Sequence, residues 1–162
     1  MKREIVMIWV RRGALALFVL LLAAQLIRPA TLNPRVNPAH EIAAHLAVNP
    51  AVQAIFERSC NDCHSNRTVW PWYSHVAPIS WLVASDVSGG RRHVNFSEWT
   101  AYPAEKSAKL LEQICKEVQE GDMPPLQYLP MHRAAWLGKA DRRKVCDWTA
   151  AVRQNQTAMD AK

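Results

Sequence analysis

Cys60, Cys63 and His64 are the residues whose types and spacing together specify chemistry. They lie in Cys60-Asn61-Asp62-Cys63-His64, a C-x-x-C-H pattern. On a helix, positions i and i+3 share a face, so both sulfurs can bond the two vinyl-derived carbons on one edge of a porphyrin. The adjacent imidazole can then turn beneath the ring and reach the iron. That is the pattern of covalent c-type haem attachment, and a proximal imidazole is a standard ligand of haem iron. A zinc site would ask for a second C-x-x-C or an H-x-x-x-H, and the chain has neither. A redox dithiol would ask for a βαβ setting, and strand periodicity is almost absent. The expected cofactor is one covalent haem c per chain, with its iron.

The second informative stretch is Gly121-Asp122-Met123-Pro124-Pro125. A methionine in a Gly/Pro loop lies off any amphipathic stripe. Two prolines fix the backbone around it and remove amide donors. Met123 is therefore expected as the distal ligand opposite His64, a pairing that raises the haem potential relative to two imidazoles. Met131 and His132 are the fallback. His75 and His93 are alternative ligands, although a histidine beside aromatics is more often a hydrogen-bonded packing residue. Trp136 is placed to pack over the haem edge. No Ser/His/Asp set, phosphate-cradling glycine loop or pair of catalytic carboxylates stands out, so the expectation is not an enzyme.

These residues need a scaffold, and 162 residues give one domain plus appendages. Nearly half the residues are apolar and glycine is scarce, which suits a helical core. Seven tryptophans could cover the flat faces of a large ring. The net charge is +6, but Lys2, Arg3, Arg11 and Arg12 against Glu4 supply half of it. Nucleic-acid binding calls for a clustered basic stripe, and Arg91-Arg92 and Arg142-Arg143-Lys144 are too short for that.

Residues 1–27 read as a signal anchor or signal peptide. Gly13 to Ile27 is apolar except for Gln25 and would span about 22 Å as a helix, short of the roughly 30 Å hydrocarbon core. No good A-x-A cleavage site follows it, which favours a retained anchor over a cleaved peptide. The cations ahead of it place the N-terminus in the cytoplasm and the rest outside. Residues 28–48, with Pro29, Pro34 and Pro38, read as a Pro-rich stalk and a short helix.

Residues 49–154 are the expected haem c domain. Asn49-Pro50 is a helix start, and Val52, Ile55, Phe56, Ser59 and Cys63 form one stripe. Pro78 opens another helix, which Gly89-Gly90 closes. Asn95-Phe96-Ser97-Glu98 has the character of a capping box. A long helix follows from Pro103 to Glu120, and a closing one from Ala140 to Gln154 with Val145, Trp148 and Val152 on its buried face. Residues 155–162 read as a frayed polar tail. Cys115 and Cys146 could pair in an oxidising compartment or stay as buried thiols; the spacing leaves both open.

Taken together, Cys60-Asn-Asp-Cys63-His64-Ser65-Asn66, Thr68, Trp70-Pro71-Trp72-Tyr73, Ala77-Pro78, Asn95-Phe96-Ser97-Glu98-Trp99, Gly121-Asp122-Met123-Pro124-Pro125 and Trp148 resemble the bacterial haem-binding domain family of small exported monohaem proteins. The resemblance runs from about Asn49 to Arg153. It implies an all-α fold similar to class I cytochrome c domains, with Cys60 and Cys63 bonded to haem, His64 proximal and Met123 distal. It says nothing about Cys115 and Cys146.

The expectation is a cytochrome held in the bacterial inner membrane by a single span, or soluble in the periplasm after cleavage. It would pass single electrons between periplasmic or membrane redox proteins. The alternative is a haem sensor or peroxidase-like protein with a displaceable sixth ligand; a zinc-held interaction module is a third.

Overall fold

Asparagine followed by proline starts a helix because the side chain takes up an orphan amide while proline needs none. The computed structural model, which describes residues 2–160, shows this at Asn49, whose Oδ1 accepts from the Val52 amide at 3.0 Å. The regular elements among the described residues are all helical. They are α1 (Lys2–Ala24), α2 (Ile42–His45), α3 (Pro50–Ser59), α4 (Asn61–His64), α5 (Ile79–His93), α6 (Ala104–Glu120) and α7 (Lys139–Asp160). Short 3₁₀ turns occupy Pro38–His40, Trp72–His75, Phe96–Ala101 and Arg133–Ala135. The all-α expectation holds.

The chain divides into two compact units, one taking it through Leu32 together with Trp70–Asp86, the other Asn33–Val69 with the chain from Val87 onward. In the first, α1 has 23 residues and no buried side chain. At 1.5 Å per residue it is about 34 Å long, enough to cross a bilayer core. It starts well before Gly13, because Ile5–Val10 and the two arginines are compatible with helix. Just beyond its end, Gln25 makes two bonds to one residue: Nε2 donates to the Ala77 carbonyl and Oε1 accepts from the Ala77 amide, each at 3.0 Å. The Trp81 indole donates to the Ile27 carbonyl at 2.8 Å.

The second unit is built around Phe56, which stacks on Phe96 (ring centroids 4.8 Å apart) and meets Trp148 edge-on at 5.3 Å. Val145, Trp148 and Val152 are buried as expected. Two boundaries move. Ile42 and Leu46 are buried in this core, and the Trp148 indole donates to the Ala47 carbonyl at 3.0 Å. Residues 38–48, expected outside the domain as the stalk's end and a short helix, are therefore part of it: the Pro38–His40 turn and the short α2 let two apolar side chains reach inward. At the other end, α7 runs on to Asp160 in place of a tail frayed from Asn155; residues 161–162 lie outside the described residues. Helices α6 and α7 pack along each other, and a Cys115–Cys146 disulfide joins them, with 4.7 Å between Cα atoms.

Two helix ends also differ. The stripe of α3 does not continue to Cys63, because Cys60 leaves the helical region (φ −126°) and α4 starts as a separate turn. Helix α5 passes through Gly89-Gly90 and ends only at His93. Gly121 terminates α6 in the left-handed conformation (φ 85°), which glycine adopts without a Cβ penalty.

Candidate functional site

A cavity of about 440 Å³ opens in the second unit, within the usual size range of cofactor sites. One wall is a stripe of α6: Leu110, Gln113, Ile114, Glu117 and Val118, the i, i+3, i+4, i+7, i+8 spacing of one helix face. The rest of the lining is Cys60, His64, His93, Val94, Phe96 and Met123. The structure thus brings together Cys60, His64 and Met123. Cys63 is half-buried in α4 but does not line the cavity.

His64 is held by its Nδ1, which donates to the carbonyls of Gly90 and Val94 at 3.1 Å each. Such a second partner fixes the tautomer and ring orientation of a metal-binding histidine and leaves Nε2 with its lone pair. Burial lowers the His64 pKa, the bonds to Val94 and Gly90 oppose this, and His93 lowers it further. A neutral imidazole is the form a metal requires. Burial pushes the Cys60 thiol up to about 12, against the pull of Arg58 and with a further push from Cys63. In the folded chain that thiol stays protonated and a poor nucleophile.

Gly90 makes this arrangement feasible. A Cβ placed there would stand 2.5 Å from the Cys63 carbonyl oxygen and 2.9 Å from its carbonyl carbon. Helix α5 therefore rests directly on the backbone of α4, which brings two of its carbonyls within reach of the imidazole. The sequence reading missed Gly90 because a glycine pair resembles a helix terminator.

The residues after His64 are scaffold. Ser65, Asn66 and Thr68 are buried. Asn66 accepts from Asn95 Nδ2 at 2.8 Å and donates from Nδ2 to Glu98 at 2.9 Å. Asn95 Oδ1 caps the Ser97 amide at 3.0 Å. Glu98 is thus drawn to Asn66 and does not close a capping box. Arg91 donates to the Ser65 carbonyl at 2.8 Å and to Thr68 Oγ1 at 2.7 Å, tying the end of α5 to the same loop.

Met123 is positioned from the end of α6. The amides of Gly121, Asp122 and Met123 all point at the Glu117 carbonyl, at 3.1, 3.0 and 3.3 Å, so the loop folds back over the last helical turn. Farther along, Tyr128 donates to Asp62 Oδ2 at 2.7 Å, while Asp62 Oδ1 accepts from the Val69 amide at 2.9 Å. The loop that carries Met123 is thereby fastened to the middle of C-x-x-C. Tyr128→Phe is expected to cost about 1.5 kcal/mol, the low end for a bond to a charged group because the pair is half-exposed. Urea unfolding of both chains measures it.

The other candidates lie elsewhere. His132 stacks on Tyr128 with centroids 3.8 Å apart, Met131 is exposed, and neither lines the cavity. Trp136 is also exposed and outside the lining. Its carbonyl instead accepts from Arg58 Nη1 at 3.2 Å, while Arg58 Nη2 pairs with Asp141 at 2.7 Å. His75 is exposed in the first unit. His93 does line the cavity, as an exposed residue. Among the described residues no cluster of three or more His, Cys, Asp or Glu side chains could hold a metal ion by itself.

The residues fit a haem. An apolar slot suits a flat apolar ring, Cys60 offers a sulfur in its wall, and His64 offers a neutral nitrogen in a fixed orientation. Comparison with curated proteins and with solved structures finds no match. Comparison with known families finds one whose model, described as a haem-binding domain, matches residues 19–151. That stretch takes in every lining residue of the cavity, and the chain accordingly belongs to the haem-binding domain family.

Proposed function

We propose that the chain is a membrane-tethered monohaem c-type cytochrome, facing the periplasm from the bacterial inner membrane, that carries single electrons between larger redox proteins. The observation that carries this reading is the pair of hydrogen bonds from His64 Nδ1 to the Gly90 and Val94 carbonyls. It leaves Nε2 as the one ring nitrogen available to a metal, in a cavity that Cys60 and Met123 also line. Haem, when bound, supplies an iron that gains and loses one electron. Cys60 and Cys63 would hold the ring through thioether bonds, with His64 and Met123 as axial ligands.

The chain's own part is to keep those ligands still and water away. His64 is fixed by two carbonyls, and the Met123 backbone by the Glu117 carbonyl. Neither has to move when the charge changes. Leu110, Ile114 and Val118 of α6, with Phe96, disfavour the extra positive charge of the oxidised form, which favours a high potential. The length and exposure of α1 support the tether, and the cations before Gly13 support its orientation.

The test is a pair of absorption spectra, oxidised and reduced, of the exported chain co-expressed with a c-type maturation system. The expected result is a covalent c-type spectrum with the far-red band of methionine–iron ligation. Met123→Ala is expected to abolish that band; an unchanged band excludes Met123 as ligand. His93 and Glu117 line the same cavity, and this favours a second reading, a sensor or peroxidase-like protein with a displaceable sixth ligand. A high-spin spectrum that shifts with carbon monoxide or cyanide would support that reading. Zinc retained without haem would overturn both.

A further inference from the structure

The longest stretch of the chain without Asp, Glu, Lys or Arg is residues 68–85, longer than the uncharged run of α1 itself. It exposes large apolar side chains: Trp72 is 72% exposed, Ile79 and Leu82 are 48% exposed, and Val76 and Trp81 are also open. Five large apolar side chains exposed within one uncharged run of eighteen residues mark a protein or membrane contact. Its position selects the membrane. Gln25, the residue after the end of α1, holds Ala77 by both its amide and its carbonyl, and Ile27 holds the Trp81 indole. The patch is therefore continuous with the outer end of a helix that has no buried residue. Tryptophan is favoured where hydrocarbon meets headgroups, because its ring is apolar and its N–H is polar.

We propose that Trp72–Leu82 is a membrane-interface belt, sunk into the headgroup boundary of the outer leaflet beside the emerging end of α1. The proposal rests on the reading of α1 as a retained anchor. It gives Gln25 a purpose. An amide near the end of a membrane span is costly unless paired, and here it clamps the belt to the span at the depth where both meet the interface.

Depth measurement by spin label tests the belt on the haem-loaded full chain in phosphatidylethanolamine–phosphatidylglycerol nanodiscs. Single cysteines are introduced as Leu17→Cys, Val76→Cys, Ile79→Cys and Glu120→Cys. Unsubstituted chain labelled in parallel sets the background. Labels at 76 and 79 are expected to collide several-fold more with oxygen, relative to a water-soluble nickel complex, than the label at 120. The label at 17 should be deeper still. Labels at 76 and 79 that behave like 120, with 17 immersed, overturn the belt and leave the anchor standing. Low collision with both reagents at 76 and 79 means a protein occupant and also overturns it. An intact mass lacking residue 17 shows that the anchor is cleaved, which removes the anchor reading and the belt with it.

Discussion

The double variant Cys115→Ala/Cys146→Ala is expected to lose about 3–4 kcal/mol of folding stability, from the entropy that a cross-link of this loop length removes from the unfolded chain. The bridge spans 31 residues of sequence and joins α6 to α7. Because α6 supplies a wall of the cavity and the loop that holds Met123, the loss reaches the site. Guanidinium unfolding followed by tryptophan fluorescence measures it on oxidised wild type and variant. Wild type treated with a reductant should fall toward the variant. A loss below about 1 kcal/mol would mean that packing between α6 and α7 already restricts the unfolded chain, contrary to the entropic account.

Neighbouring glycines in α5 are expected to respond with opposite signs. Gly89→Ala should stabilise by about 0.5–1 kcal/mol, the helical advantage of alanine over glycine. A Cβ there meets nothing closer than an Arg92 side-chain nitrogen at 3.9 Å. Gly90→Ala should destabilise by about 1–3 kcal/mol, the usual cost of forcing a methyl into a packed contact, since the obstacle is Cys63 backbone and not a side chain that could swing away. It also lifts the Gly90 and Val94 carbonyls from His64 Nδ1. The reduced and oxidised spectra should therefore change for Gly90→Ala and stay as wild type for Gly89→Ala. Equal effects of the two substitutions on stability would contradict the close approach of α5 to α4.

The contrast shows what a sequence can and cannot reveal. The meeting of Cys60 and His64 at one cavity was legible because the two are close in sequence, as were the Asn49-Pro50 helix start and the α6 stop at Gly121, each set locally. Gly89-Gly90 was misread because a glycine that admits a neighbouring backbone looks the same in sequence as one that ends a helix. Which it is depends on Cys63, 27 residues earlier. The short helix after Pro38 was legible, but it was set outside the domain with the Pro-rich spacer, and only tertiary packing shows Ile42 and Leu46 to be core. The lining of α6 was half seen. The helix from Pro103 to Glu120 was legible as a unit, yet which of its residues line the cavity was not, because α6 has α7 against one side and the cavity against another. Met123 was legible as an anomaly, a methionine without a stripe.

A chain is made from its N-terminus, and the helix that closes the core here, α7, follows every other element of that core. Trp148, in α7, covers Phe56 and bonds the carbonyl of Ala47, 101 residues earlier. Arg58, two residues before the first thiol, finds Asp141 only when α7 arrives. Synthesis order thus leaves Phe56 without its edge-on ring and Arg58 without its carboxylate until α7 is made. A chain truncated before Lys139 would keep both residues without those partners and its core unsealed.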